Sequence, residues 1–146
     1  AELLSADFKV QADIWSCPSF NELKRDGDDV FRWNLLHPDK KPRICHVTEC
    51  LENSDGPVVA ATDYVKLFAD QIRAYVPKSY TVLGTDGYGR SDSREALRKH
   101  FEVDRYYIAL AALNALYAEG SVSAKTVKSA IKKYGIDTEK DNPLFS

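Results

Sequence analysis

The longest uninterrupted apolar run in the chain is Tyr106 to Leu113, and the helix it belongs to is apolar almost all round. Asp104 opens that helix and Gly120 closes it. Between them Ile108, Leu110, Ala111, Ala112, Leu113, Ala115 and Leu116 leave no polar face on a spiral of 3.6 residues per turn. Such a helix has to be covered on several sides, which requires further layers of structure around it. The run is far short of the ~20 residues that span a bilayer, so the cover is protein and no membrane partner is expected.

The rest of the chain offers candidates for those layers. Phe8, Val10, Ala12 and Ile14 alternate with Lys9, Gln11 and Asp13, the period-two pattern of a half-buried strand that Cys17-Pro18 ends. Ser19 followed by Glu22 reads as a capping box for a short helix through Leu23 and Arg25. Asp26-Gly27-Asp28 reads as a turn, and Val30 to Leu36 as another helical turn or two, stopped by His37-Pro38. A short helix is expected within Ile44 to Leu51, then a turn at Asn53-Ser54-Asp55-Gly56-Pro57.

Val58 to Thr62 is a short apolar run suited to a strand covered on both faces. Thr62-Asp63 then begins a helix with Tyr64, Leu67, Phe68, Ile72, Tyr75 and Val76 on one side, ended by Pro77. Tyr80 to Leu83 is a third strand. A glycine loop, Gly84 to Arg90, leads into a helix from Ser93 to Phe101. Ser123 starts a last amphipathic helix, with Val127, Ala130, Ile131 and Tyr134 facing inward. Residues 137–146 form a polar tail, loose until Pro143-Leu144-Phe145.

Strands alternating with helices predict an α/β fold, a mostly parallel sheet between helical layers. Three strands are few for a sheet covered on both faces. The chain has no Met, and Ala1 to Ala6 reads like the last turns of a helix without a cap. These features point to a single domain over 1–146, a processed product or a piece of something longer, lacking its first strand.

Charge narrows the function classes. Lys+Arg 20 against Asp+Glu 22 gives a net charge of −2, so there is no basic excess for a nucleic-acid partner. The first fifteen residues carry acids and no apolar block, so no signal peptide is expected. Three irregularly spaced cysteines point to reduced thiols and a cytoplasmic location. Cys45, His46 and Cys50 lack the second ligand pair of a structural zinc site, and no metal is assigned. Nothing beside Cys17 lowers its pKa as a nucleophile would require. Phe20, Phe31, Trp33 and His37 are either an interaction surface or a satellite core, and Lys125, Lys128, Lys132 and Lys133 read as a solvated helix face.

The loop Gly84-Thr85-Asp86-Gly87-Tyr88-Gly89-Arg90-Ser91-Asp92-Ser93 has the strand–loop–helix placement at which α/β proteins hold anions. It matches neither the P-loop nor the dinucleotide fingerprint, and it misses the nucleophile elbow at its last residue. Asp86 and Asp92 oppose a phosphate, and Arg90 offsets one of them. The loop is therefore either a tight turn whose glycines take positive φ, with Asp92 or Ser93 capping the next helix, or a small-ligand site. Its residues Gly84, Asp86, Gly87, Gly89, Arg90 and Ser91 are the candidate interface or anion-binding set. No catalytic, cofactor-binding or metal residue is identified.

Three segments together carry a resemblance: VQADIWSCPSFNELKRDGDDVFRWNLLHP over Val10 to Pro38, TDYVKLFADQIRAYVP over Thr62 to Pro77, and LGTDGYGRSDSREALRKHFEVD over Leu83 to Asp104. They resemble the C-terminal domain of the homodimeric bacterial pyruvate dehydrogenases, the decarboxylating first component of the pyruvate dehydrogenase complex. A looser form of the Gly84 to Asp104 block closes the C-terminal domain of transketolases. The resemblance implies a three-layer α/β/α domain with a five-stranded mixed sheet. It also implies thiamine diphosphate and Mg²⁺ in the full-length enzyme, held by other domains, with none bound by this domain alone. The implied partners are the enzyme's own catalytic domains, a second subunit and the dihydrolipoyl acetyltransferase core. This domain's implied role is subunit packing and complex assembly, with a regulatory small-anion site in the Gly84–Ser93 loop as the alternative.

Overall fold

The computed structural model describes residues 1–146. Seven α-helices and one short 3₁₀ turn surround a pair of parallel strands. The pair is β1 (Val58–Ala61) and β2 (Tyr80–Leu83), in register from Val58 opposite Tyr80 to Ala61 opposite Leu83. Val58 N–H donates to Ser79 O (2.8 Å) and Thr62 N–H to Leu83 O (3.0 Å), extending the ladder past both ends.

One core lies on one face of this pair. Val58, Ala60, Tyr80 and Val82 pack there with Cys45, Val47 and Leu51 of the α3 region (His46–Leu51), with Ile72 and Val76, and with Phe20, Leu23 and Val30 of α2 (Phe20–Leu36). Strand side chains alternate between faces. Val59, Ala61, Thr81 and Leu83 therefore point the other way, towards α6 (Arg105–Ala118), which packs on both strands. Beyond α6 a second core joins Leu4 of α1 (Glu2–Phe8), Ala109 and Leu113 of α6, and Ala130 of α7 (Ala124–Tyr134). Helices on both faces of a parallel pair give the α/β layering expected from the sequence.

Caps place the later helices. Ser93 Oγ accepts the Ala96 N–H (3.2 Å) at the start of α5 (Arg94–His100), Asp104 Oδ1 accepts the Tyr106 and Tyr107 N–H groups (2.8 and 2.9 Å), and Ser123 Oγ accepts the Thr126 N–H (3.3 Å). Ser19 Oγ likewise accepts the Glu22 N–H (3.2 Å), but the Glu22 carboxylate turns to Arg25, so half of the capping box forms.

Four expectations change. No strand forms over Phe8 to Ile14. Phe8 ends α1, Lys9 takes a left-handed φ of 60°, and the Val10 N–H returns to Leu4 O (3.1 Å), a Schellman closure. Residues 11–18 are exposed and join no ladder. The Asp26-Gly27-Asp28 turn is absent because α2 runs straight through it. Gly27 is buried in mid-helix, where a Cβ would run into the Tyr75 ring, so the glycine serves close approach rather than a bend. The helix expected from Thr62 starts late, at α4 (Lys66–Asp70), because Val65 before it has ψ 145°, and it is divided from a 3₁₀ turn (Arg73–Tyr75) where Ile72 leaves helical geometry (φ −93°, ψ 1°). Ala69, Ile72 and Val76 face inward while Tyr64, Leu67 and Phe68 are exposed. Last, α6 is not enclosed: Ala109, Leu113 and Ala115 are buried, but Ile108, Leu110, Ala111, Ala112 and Leu116 are half-buried.

Candidate functional site

Parallel strands bring both of their C-terminal ends to one side of the sheet, and the loops after β1 and β2 meet there. They are stitched together. Thr85 N–H donates to Tyr64 O (2.8 Å) and Thr85 Oγ1 donates to Asp63 O (3.0 Å). Arg98 of α5 closes the group with Nη2 donating to both Asp63 carboxylate oxygens, at 3.0 and 3.2 Å. Asp86 Oδ1 accepts the Lys66 N–H (2.9 Å) and so supplies α4 with a cap from across the sheet.

The three glycines of the loop serve different ends. Gly84 is buried where a Cβ would lie 2.7 Å from both Lys66 N and Tyr64 O, so only a residue without a side chain lets the two loops close. Gly87 alone takes a positive φ (119°). Gly89 has nothing within 4 Å and needs no special backbone. The expectation that these glycines share positive φ therefore holds for Gly87 only.

The outer loop, Gly87 to Ser93, is exposed. Arg90 and Ser91 stand there without an ion pair or side-chain hydrogen bond. Asp92 Oδ1 accepts the Ser93 N–H (2.6 Å), while Ser93 is the helix cap. Of the six candidate residues, the fold brings Gly84, Asp86 and Gly87 against its own backbone and leaves Gly89, Arg90 and Ser91 at the surface.

Sequence reasoning missed the C-terminal tail. Lys140 Nζ donates to His100 O (2.6 Å) and stands 3.2 Å from Glu102 Oε1, and the Pro143 carbonyl faces Gly87. A cavity of about 280 Å³ lies between the tail and the strand ends. The tail is therefore docked, not loose. Its local signals were Asp137 and Asn142, whose Oδ1 atoms accept the Glu139 and Leu144 N–H groups (2.9 Å each) in Asx turns. Burial pushes the His100 imidazole below its ordinary pKa, and the Arg90 and Lys140 charges push it the same way.

The residues present do not fit thiamine diphosphate or Mg²⁺. No three His, Cys, Asp or Glu side chains gather to hold a metal ion. Asp86 is occupied as a helix cap, and Arg90 is the only cation on the loop. Cys45 Sγ lies 3.0 Å from Thr48 Oγ1 and Cys50 Sγ 3.6 Å from His46 Nε2, two separate pairs. No helix is long and apolar enough to cross a membrane.

The aromatic stretch of α2 divides by face. Phe20, Leu23 and Val30 pack on the core. Trp33 stacks on His37 (4.4 Å between ring centres) with the Arg43 guanidinium 4.0 Å from its ring centre, whereas Phe31, Leu35 and Leu36 are exposed. The satellite-core reading holds for the inward side of the helix, and the outward side is an exposed apolar face.

Comparison with known proteins extends what the geometry shows. The family model described as the transketolase-like TK C-terminal domain matches residues 1–104. The pyruvate dehydrogenase E1 component of Pseudomonas aeruginosa is 61% identical over 145 residues, covering 99% of this chain and 16% of that protein. The proteins of the same name from Cupriavidus necator and Escherichia coli are 57% identical over 144 residues and 53% over 147, covering 99% and 100% of this chain and 16% of each relative. The chain thus spans 16% of the length of these relatives. The matched residues contain both strands and the glycine loop that joins their ends, and the likeness continues through α6 and α7, so the chain belongs to the transketolase-like C-terminal domain family.

Proposed function

We propose that this chain serves as the packing and assembly domain of a pyruvate dehydrogenase, and that the chemistry takes place in other parts of that enzyme. The observation that carries this reading is surface. The chain exposes 10032 Å², and only 15 of its 146 residues are buried. A compact monomer of its 16.4 kDa exposes about 7,500 Å². The excess is apolar in part, including Phe31, Leu35, Leu36, Leu67 and Phe68, and it calls for cover by more protein.

In this reading the whole enzyme uses thiamine diphosphate and Mg²⁺ to decarboxylate pyruvate and pass the two-carbon unit to a lipoyl group on a dihydrolipoyl acetyltransferase core. This domain packs against the catalytic domains and a second subunit of a cytoplasmic homodimer. The exposed tip Gly89-Arg90-Ser91 is the part of the loop available for such contacts. The names of the relatives support the reading.

The test is the mass of the native protein that carries this sequence, captured by antibody from its source cells. A species several times larger than 16.4 kDa, eluting with lipoyl protein, is the expected result. A species of 16.4 kDa alone overturns the reading. Gly89→Val in that native protein sharpens it. Open space around Gly89 spares the domain's own fold, so loss of dimer or of flux reports a contact made at the tip. Normal dimer and normal flux remove the tip from the interface. Calorimetry with phosphorylated metabolites separates a small-anion site at Arg90 from this role, with silence expected.

A further inference from the structure

The C-terminal segment crosses the side of the sheet where both strands end. After α7 and its left-handed Gly135 cap, the chain returns to α5. There Lys140 Nζ donates to His100 O (2.6 Å) and Lys99 O (3.4 Å) and pairs with Glu102 Oε1 (3.2 Å). These carbonyls belong to the last turn of α5, where the helix dipole favours a cation. Past this anchor the Asn142 side chain accepts the Leu144 N–H and the Asn142 carbonyl accepts the Phe145 N–H, both at 2.9 Å, so the end of the chain turns on itself. That turn sets the Pro143 carbonyl against Gly87, where any Cβ would collide with it. The cavity of about 280 Å³ beneath is bounded by Lys66, Gly84 and Asp86 on one side and by Lys140, Asn142 and Leu144 on the other.

We propose that residues 137–145 form a strap, latched by Lys140, that closes this cavity over the C-terminal ends of the strands and opens as one unit. Three observations carry it. The strap lies over the crevice where open parallel sheets receive ligands and partners, so its position decides whether that crevice is accessible. Its attachment is concentrated in one ammonium group that meets three acceptors, while Asp137, Thr138, Glu139, Asp141, Asn142, Leu144 and Phe145 are exposed. None of its residues is buried or belongs to either core, so it can leave without unpacking α6 or α7. The latch is independent of the packing role proposed above, since it is made within this chain.

Backbone hydrogen exchange, followed by mass spectrometry on the full chain, tests the strap. Lys140→Gln removes the charge and keeps the length of the side chain. It is expected to raise exchange in the peptides covering 84–90 and 140–145 together, by about tenfold, with α6 and α7 unchanged. Lys140→Arg is expected to restore most of the protection, and a chain ending at Glu139 to match Lys140→Gln at 84–90. Native exchange at 84–90 in both Lys140→Gln and the shortened chain overturns the proposal. So does a rise spread evenly through α6 and α7, which reports loss of overall stability and not release of a strap.

Discussion

The segments at the two ends of the chain invert what their sequences suggest. Phe8 to Ile14 carry an alternation suited to a strand, yet residues 11–17 lie exposed, with Ile14 and Trp15 77% and 60% accessible. Residues 137–142 are polar and read as a loose tail ahead of Pro143, yet they are docked by Lys140 and by the turn at Asn142. A strand is a relation between two chains of atoms, and alternation supplies only one of them. A tail needs much less, because one ammonium group at the end of a helix already meets several acceptors.

The contrast can be broken or sharpened by substitution. The largest effect is expected in the frame on which both segments hang. Leu113 is fully buried between α1 and α7, and Leu113→Ala should cost about 3 kcal/mol in urea unfolding. A change below 1 kcal/mol would mean that the α1–α6–α7 core is not the stabilising part. Gly87→Val comes next. A β-branched residue at φ 119° facing the Pro143 carbonyl should cost about 2 kcal/mol and loosen the tail at the same time. Undiminished protection of residues 140–145 in that variant would separate the tail from the loop.

A smaller effect is expected from pH at the fixed end of the first segment. Asp7 of α1 accepts from Lys133 Nζ (2.6 Å) and Tyr134 Oη (3.1 Å) of α7, and the Lys133 bond holds its carboxyl below the ordinary 3.8. A carboxyl depressed in the folded state contributes stability above 3.8, and that contribution is lost as pH falls through its lowered value. Thermal unfolding at pH 3 and pH 6 should therefore differ less in Asp7→Asn than in the parent. Asp28, held low by Lys24 and Tyr75, contributes in the same direction and remains in the variant. Ile14→Asn should have the least effect, within about 0.5 kcal/mol, because its side chain rests on solvent in this chain. A loss above 1 kcal/mol would show that residues 9–17 find a partner in solution.

Much of the fold was legible because its signals are local. Ser93, Asp104 and Ser123 cap their helices as the spacing predicted, His37-Pro38 stops α2, and Tyr80 to Leu83 is a strand. Each needs only neighbours within one turn or an apolar run between breakers. Gly27 misled because the reason for that glycine is the ring of Tyr75, far along the chain. The same holds at the candidate site. The glycine loop was found by its strand–loop–helix placement, whereas the Asp86 cap on Lys66, the Asp63–Arg98 pair and the Lys140 anchor join residues with no pattern in common.

The sequence by itself determined where α5, α6 and α7 begin, where α2 stops, the two strands and the family, because caps, breakers, apolar runs and three long segments are written along the chain. Tertiary structure alone decided that the alternating run over Phe8 to Ile14 stayed out of the sheet, which glycine took a positive φ and where the tail was held. Those outcomes depend on the presence of a partner across space. A backbone ladder, an open volume or a set of carbonyls at a helix end exists only after the other elements have packed.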